Sequence, residues 1–239
     1  MENKEYKHRD YVLRSNDQYA LAKYKIIRSQ LPKENCLTVL NAGCGSGEMN
    51  IILSENPTWL VDAIDNDEKA IDCSLHLKNE LSINNLNIKK CSIENFESKA
   101  GSYDIIVIND VLEHIRDDSR AIKKLAELIK PKGKIFISVP AFQWLYGHHD
   151  KMLGHYRRYT KMTLINKLST FFKVEYCRYF GASLIPFVLL YSCLLNKKYP
   201  IYDLHQSSLK TQLIKIILTI ESIISMPVGI SLLVRANRL

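Results

Sequence analysis

Apolar and polar positions along the chain follow two alternating periods. Tyr19, Ala22, Ile26 and Ile27 recur at helical spacing and stop before Pro32. A short β-type run, Leu37 to Leu40, leads straight into Asn41-Ala-Gly-Cys-Gly-Ser-Gly47, and a helix with Met49, Ile52 and Leu53 follows. The alternation then repeats. Trp59 to Ile64 reads as a strand ending on Asp65, and Asp67 caps a helix carrying Ala70, Ile71 and Leu75. Leu86 to Cys91 is a third strand. Tyr103 to Ile108 is a continuous apolar run, the mark of a strand buried on both faces. Asp117 and Asp118 open a helix with Ile122, Leu125, Leu128 and Ile129 on one side; Pro131-Lys-Gly133 then predicts a turn into the strand Lys134 to Val139. Strands alternating with helices at this spacing predict an α/β fold with a mostly parallel sheet covered on both faces.

Beyond Pro140 the pattern changes. Residues 141–160 are rich in aromatic, His and Arg residues and have no clean period. A helix over Thr163 to Phe171 and a strand over Val174 to Phe180 follow, and Ile230 to Arg235 is the last strand. The intervening residues 181–227 read as an apolar helical insertion, so residues 1–180 and 228–239 form the main domain.

Length and composition narrow the classes. The 239 residues suit one α/β domain with an insertion, and 46% apolar content supports a real core. The net charge of +8 favours anionic partners, but the charges are spread out. No basic run is interleaved with aromatics, so no nucleic-acid partner is expected. The six cysteines form no CxxC pair and fit a reducing cytoplasm. The polar start MENKEYKHRD has no signal-peptide core, and the apolar stretch Ser183 to Leu195, broken by Pro186, falls short of the ~20 residues a spanning helix needs. A cytoplasmic protein is therefore expected.

Gly43, Gly45 and Gly47 lie between a strand and a helix, where glycines let a ligand approach the backbone. Their G-x-G-x-G spacing differs from the dinucleotide fingerprint G-x-G-x-x-G, whose third glycine is replaced here by Glu48. A carboxylate there repels a pyrophosphate and favours a cofactor without phosphates. Asp65, ending the next strand, suits the two hydroxyls of a ribose.

The segments Asn41-Ala-Gly-Cys-Gly-Ser-Gly47, Asp62-Ala-Ile-Asp65 and Tyr103-Asp-Ile-Ile-Val-Ile-Asn-Asp-Val-Leu-Glu-His114 resemble, in order and spacing, the motifs of class I S-adenosylmethionine-dependent methyltransferases. The resemblance implies a Rossmann-like seven-stranded sheet with an antiparallel last strand. It implies that Gly43, Gly45 and Gly47 cradle the methionine portion of S-adenosylmethionine, that Asp65 holds the ribose, and that Asn66, Ser92 and Ile93 border the adenine. Asn109 would face the methionine amino group. The family often has an acidic residue where Asn41 stands, so the loss of that charge predicts weaker cofactor binding. By analogy, the arm with Tyr6, Tyr11 and Arg14 would fold over the cofactor.

The stretch Val139 to Thr160 is similar to a bacterial subgroup sharing a His-Asp pair followed by Gly-His and Arg-Arg-Tyr. Methyl transfer to a hydroxyl needs alignment and a proton acceptor. His149 and His155 are the candidate bases, and Asp150 would orient a His. Tyr146, Arg157, Arg158 and Tyr159 are candidate substrate contacts; the alternative is that Asp150, His155 and Arg158 form a buried network shaping the loop. Asp110, Glu113 and His114 have i, i+3, i+4 spacing and would share a helix face, where a metal could be held. Ubiquinone-pathway O-methyltransferases have Glu at the Asp110 position and use a divalent ion, but the Leu-Glu-His stretch also occurs in family members without metal. The expectation here is no metal.

In the insertion, Leu209, Leu213, Ile216, Ile217, Ile220 and Ile224 mark a helical face, with Lys210 and Lys215 among them and Lys197 and Lys198 upstream. Its plain reading is packing on the core or on a second subunit as a homodimer. Its functional reading is a lid, or a surface resting peripherally on the inner face of the membrane near a lipid-linked acceptor. The expected function is methyl transfer to a small-molecule or lipid-linked acceptor, at oxygen, with S-adenosylhomocysteine as product. A nucleotide-binding protein without turnover is the rival from another class; a dehydrogenase has the wrong glycine spacing.

Overall fold

The computed structural model describes residues 17–197 and 209–239. Its order is α1 (Gln18–Gln30), β1 (Thr38–Ala42), α2 (Glu48–Ser54), β2 (Leu60–Asp65), α3 (Glu68–Glu80), β3 (Leu86–Lys90), β4 (Tyr103–Asn109), α4 (Asp118–Leu128), β5 (Ile129–Pro140), α5 (His148–Leu153), α6 (Lys161–Leu168) and β6 (Phe172–Phe180). Then come α7 (Ile185–Phe187), which widens into a π-helical stretch Val188–Leu194, α8 (Leu209–Ile223) and β7 (Ser231–Arg238). Single 3-10 turns cover Leu112–His114, Gln143–Leu145 and Ala182–Leu184.

The strands form one seven-stranded sheet in the order β3-β2-β1-β4-β5-β7-β6, and β7 runs antiparallel to both neighbours. This is the expected Rossmann-like class I methyltransferase sheet. The order reverses between β1 and β4, so their carboxyl ends diverge and leave a crevice, where open α/β sheets bind ligands.

Strand alternation builds the core. Val39 faces a layer made with Ile26 and Ile27 of α1 and Leu53 of α2, while Leu40 and Ala42 face the opposite layer with Ile122 and Leu125 of α4. Caps fix the helix starts: Asp67 accepts from the Lys69 N–H at 3.0 Å, and Asp117 from the Arg120 N–H at 3.0 Å.

Three expectations change. The turn at Pro131-Lys-Gly133 lies inside β5 as a bulge: Tyr103 pairs with Ile129 but Ile105 with Lys134. The segment 141–160, without a period, contains the short helix α5. Most of the described apolar stripe of α8 does not pack on the core: Leu213, Ile216, Ile220 and Ile224 are exposed and Ile217 is half-buried, while Leu218 turns inward with Ile214. Tyr6, Tyr11, Arg14 and Lys198 lie outside the described residues, as do the side chains of Leu209 and Lys210.

Candidate active site

The glycine loop is tied to the end of β2. The Gly43 and Cys44 N–H groups donate to the Ile64 carbonyl at 2.8 and 2.9 Å, and the Gly45 N–H donates to Asp65 Oδ2 at 2.8 Å. Asp65 Oδ1 accepts the Asp67 N–H at 2.9 Å. One carboxylate therefore shapes both the loop and the start of α3. Gly43 has φ +80, and a Cβ there would lie 2.2 Å from Val111 Cγ2. No other residue fits that position without moving the Val111 side chain. Burial, and then the neighbouring Asp65 charge, push the Cys44 thiol up to about 12, so it stays neutral.

Beneath the loop runs a buried amide chain: Asn41 Nδ2 donates to Asn50 Oδ1 at 2.7 Å, and Asn50 Nδ2 to Ser74 Oγ at 2.8 Å. Asn41 Oδ1 is buried without a hydrogen-bond partner. Across the crevice, at the end of β4, both polar atoms of the Asn109 side chain are likewise unpartnered, as are both carboxyl oxygens of Glu113. Asn41, Gly43, Asn109, Asp110, Glu113 and His155 line one cavity at this sheet edge. Buried polar atoms left unsatisfied are expensive, and several facing one cavity mark a place where a polar ligand supplies the partners. Burial, reinforced by the charge of Asp110, raises the Glu113 carboxyl well above the usual range and favours its neutral form.

Asp110, Glu113 and His114 do not share a helix face. Asp110 sits in a left-handed conformation, φ 53, ahead of the single 3-10 turn. It forms an ion pair with Lys23 of α1 and accepts from Ser138 Oγ at 3.1 Å. Among the described residues, the group with metal-ligand proximity is instead Glu113, His114 and His155, whose ligand atoms lie within 4.8 Å of one another. The His114 and His155 rings meet edge to face at 4.5 Å.

Asp150 is the hub of the loop after β5. It is fully buried and binds Arg158 through two contacts, Nε to Oδ1 at 2.8 Å and Nη2 to Oδ2 at 2.9 Å. It also accepts the Gly147 N–H at 3.0 Å and lies 2.9 Å from His155 Nδ1. Burial alone would raise its carboxyl; the hydrogen bonds from His155 and Arg158 outweigh that and bring it down to about 2. Asp150 thus holds His155 and Arg158 together from a fully buried position.

The other loop residues divide. His149 lines the cavity, and its N–H donates to Ser192 Oγ at 3.0 Å. Tyr146 donates its hydroxyl to the His155 carbonyl at 2.7 Å. Arg158 borders the cavity, but Asp150 and the Ala141 carbonyl occupy its guanidinium. Arg157 and Tyr159 turn to Asp118 at the start of α4, at 3.0 and 2.8 Å, and are not among the cavity residues. At the end of β3, the Cys91 N–H bonds the Asp65 carbonyl at 2.8 Å, which sets Ser92 and Ile93 just beyond it; Asn66 is exposed and Ile93 is buried.

Sequence reasoning missed Lys23, which is buried and lines the cavity. Its signal was present: it stands four residues after Tyr19 on the helix side that carries Ile26 and Ile27.

A methyltransferase-domain family model matches residues 7–181. The chain belongs to this methyltransferase family. The ubiquinone biosynthesis O-methyltransferase of Coxiella burnetii is 39% identical over 100 residues, covering 42% of each chain, so this methyltransferase spans under half the length of that relative. Two solved structures share the fold. An S-adenosylmethionine-dependent methyltransferase from Mesorhizobium loti has TM-score 0.64 and 15% identity over 91% of this chain and 98% of its own. Phosphoethanolamine N-methyltransferase 2 of Haemonchus contortus, in complex with S-adenosylmethionine, has TM-score 0.64 and 16% identity over 89% of this chain and 51% of its own.

Proposed function

We propose that this methyltransferase moves the methyl group of S-adenosylmethionine to an oxygen of a small-molecule or lipid-linked acceptor. The observation that carries the reading is the set of unpartnered buried atoms, Asn41 Oδ1 and the Asn109 amide, facing the glycine loop. They suit the ammonium and carboxylate of a methionine moiety: amide oxygens accept and the Asn109 Nδ2 donates. Asp65 suits the ribose hydroxyls, and Asn66, Ser92 and Ile93 the adenine. Glu48 begins α2, where a pyrophosphate would otherwise sit.

When bound, S-adenosylmethionine supplies a methyl group already activated by its sulfonium. The chain's task is to align the acceptor and receive its proton. Asp150, 2.9 Å from His155 Nδ1, fixes the ring and leaves Nε2 as the nitrogen to take the hydroxyl proton. His149 borders the same space. The similarity to the Coxiella ubiquinone biosynthesis O-methyltransferase supports oxygen as the acceptor atom. A lipid-linked acceptor would place the chain in the cytoplasm and peripherally at the membrane's inner face; a homodimer is a further arrangement the exposed α8 stripe would permit.

A second reading is metal assistance, favoured by the proximity of Glu113, His114 and His155. A divalent ion there would favour the ionised form of Glu113, against the burial that raises its carboxyl. Turnover that survives chelation excludes it.

The deciding experiment is a calorimetric titration with S-adenosylhomocysteine, with NAD as control. Binding of the first alone is expected. Binding of neither overturns the reading, and binding without turnover to S-adenosylhomocysteine in the presence of any acceptor favours an inactive nucleotide-binding protein.

A further inference from the structure

Helix α8 is set inside out. Leu213, Ile216, Ile220, Ile223 and Ile224 are each more than half exposed, and their spacing of three and four places them on one stripe. The opposite side packs inward through Ile214 and Leu218. Polar bonds fix this rotation. Buried Arg178 of β6 donates to the carbonyls of Glu221, Ser222 (2.9 Å) and Ile224 (2.6 Å) at the end of the helix. The Ser183 N–H donates to Glu221 Oε1 at 2.7 Å. Rolling the stripe inward would strand these buried groups. The outward apolar face is therefore a held feature of the fold.

The stretch preceding Lys197 repeats the arrangement. Phe187, Leu190 and Leu194 are exposed, while Val188 on its inner side lines the catalytic cavity and Ser192 holds the His149 N–H. One short segment thus joins an exposed apolar surface to the active site.

We propose that the α8 stripe docks on an anionic lipid surface. Among the described residues of 181–227, the exposed charges are Lys197 and Lys215, and the one carboxylate, Glu221, is buried. The whole chain carries +8. An exposed apolar face on an insertion whose described exposed charges are both lysines matches a layer of acyl chains under negative headgroups. A twofold contact with a second copy would instead put this net-positive patch against itself, with no carboxylate exposed on the described insertion to offset it. No helix among the described residues is long and apolar enough to cross a membrane, and α8, about 22 Å long, fits along the interface.

The test is flotation of the full chain with vesicles of phosphatidylcholine alone and of phosphatidylcholine mixed with phosphatidylglycerol. Binding to the mixed vesicles, weakened by salt, is expected. The variant Ile216→Ser/Ile220→Ser/Ile223→Ser should fall to the level seen with phosphatidylcholine, with S-adenosylhomocysteine binding and thermal unfolding as controls for its fold. Should that variant fail to fold, Lys197→Glu/Lys215→Glu must weaken binding to the mixed vesicles. Absent binding by the wild type, unchanged binding by a folded variant, or a wild-type dimer that the triple variant dissociates without any vesicle binding would each overturn the proposal. Loss of S-adenosylhomocysteine binding with vesicle binding intact would sink the methyl-transfer reading and leave the lipid surface standing.

Discussion

Lys23 and Asp110, 87 positions apart, form an ion pair inside the cavity, and the two sides of the pair are unequally buried: the Lys23 side chain is 3% exposed and that of Asp110 38%. The inequality predicts which deletion hurts. Asp110→Ala strands a buried ammonium and should cost about 3 kcal/mol. Lys23→Met keeps most of the packed stem and leaves a carboxylate that water can reach, so it should cost about 1 kcal/mol or less. Denaturant unfolding of the two variants checks the order; the reverse order would contradict the pairing.

Asp65 accepts backbone N–H groups from both the glycine loop and the start of α3. Asp65→Ala should therefore weaken S-adenosylhomocysteine binding by more than tenfold, since charge-assisted hydrogen bonds contribute about 1.5–3 kcal/mol each. Asp65→Asn keeps one acceptor oxygen and should fall between. Calorimetry that finds unchanged affinity in the Ala variant would remove Asp65 from the cofactor site.

The strands and the glycine loop were readable because their causes are local. A strand buried on both faces shows as the unbroken run Ile105 to Ile108, and Asp67 and Asp117 cap the helices they precede. What was hidden depends on distant partners. The β5 bulge arises from pairing with β4, and no local signal separates Pro131-Lys-Gly133 in a bulge from a turn. The periodicity of α8 shows an apolar stripe but not which way it faces; that is settled by Arg178 and Glu221, outside the stripe. Arg157, Arg158 and Tyr159 look alike as substrate contacts until Asp118 and Asp150 are seen to hold them.

Glu113 gives the pH signature. Its folded carboxyl lies well above the ordinary 4.5 because it is buried and close to Asp110. A raised carboxyl keeps its proton longer in the folded chain. Its contribution is thus fully present below about 4.5 and is lost as pH rises toward the folded value, by about 1.4 kcal/mol per pH unit. Glu113→Gln removes that slope. Relative to the wild type, the variant should gain stability as pH rises above about 4.5. Thermal melts across that range test it, and a difference that does not vary with pH would show Glu113 to be ionised in the folded protein.

His155 and His149 both border the cavity, but only His155 has Asp150 behind its Nδ1 at 2.9 Å. A base held in one tautomer should matter more than a neighbour, so His155→Ala should lower turnover by about 100-fold or more, and His149→Ala by less. The Asp150 and Arg158 pair survives in His155→Ala, which should then lose only about 1 kcal/mol of stability, the value of one hydrogen bond. Asp150→Ala strands Arg158 and should lose about 3–5 kcal/mol. Cofactor affinity should stay near the wild-type value in both His variants, because the glycine loop and Asp65 are untouched. Turnover, S-adenosylhomocysteine affinity and unfolding free energy, measured together, separate the two roles of the loop. If His155→Ala loses stability as heavily as Asp150→Ala while its turnover per folded molecule is preserved, His155 shapes the loop and the proton acceptor lies elsewhere.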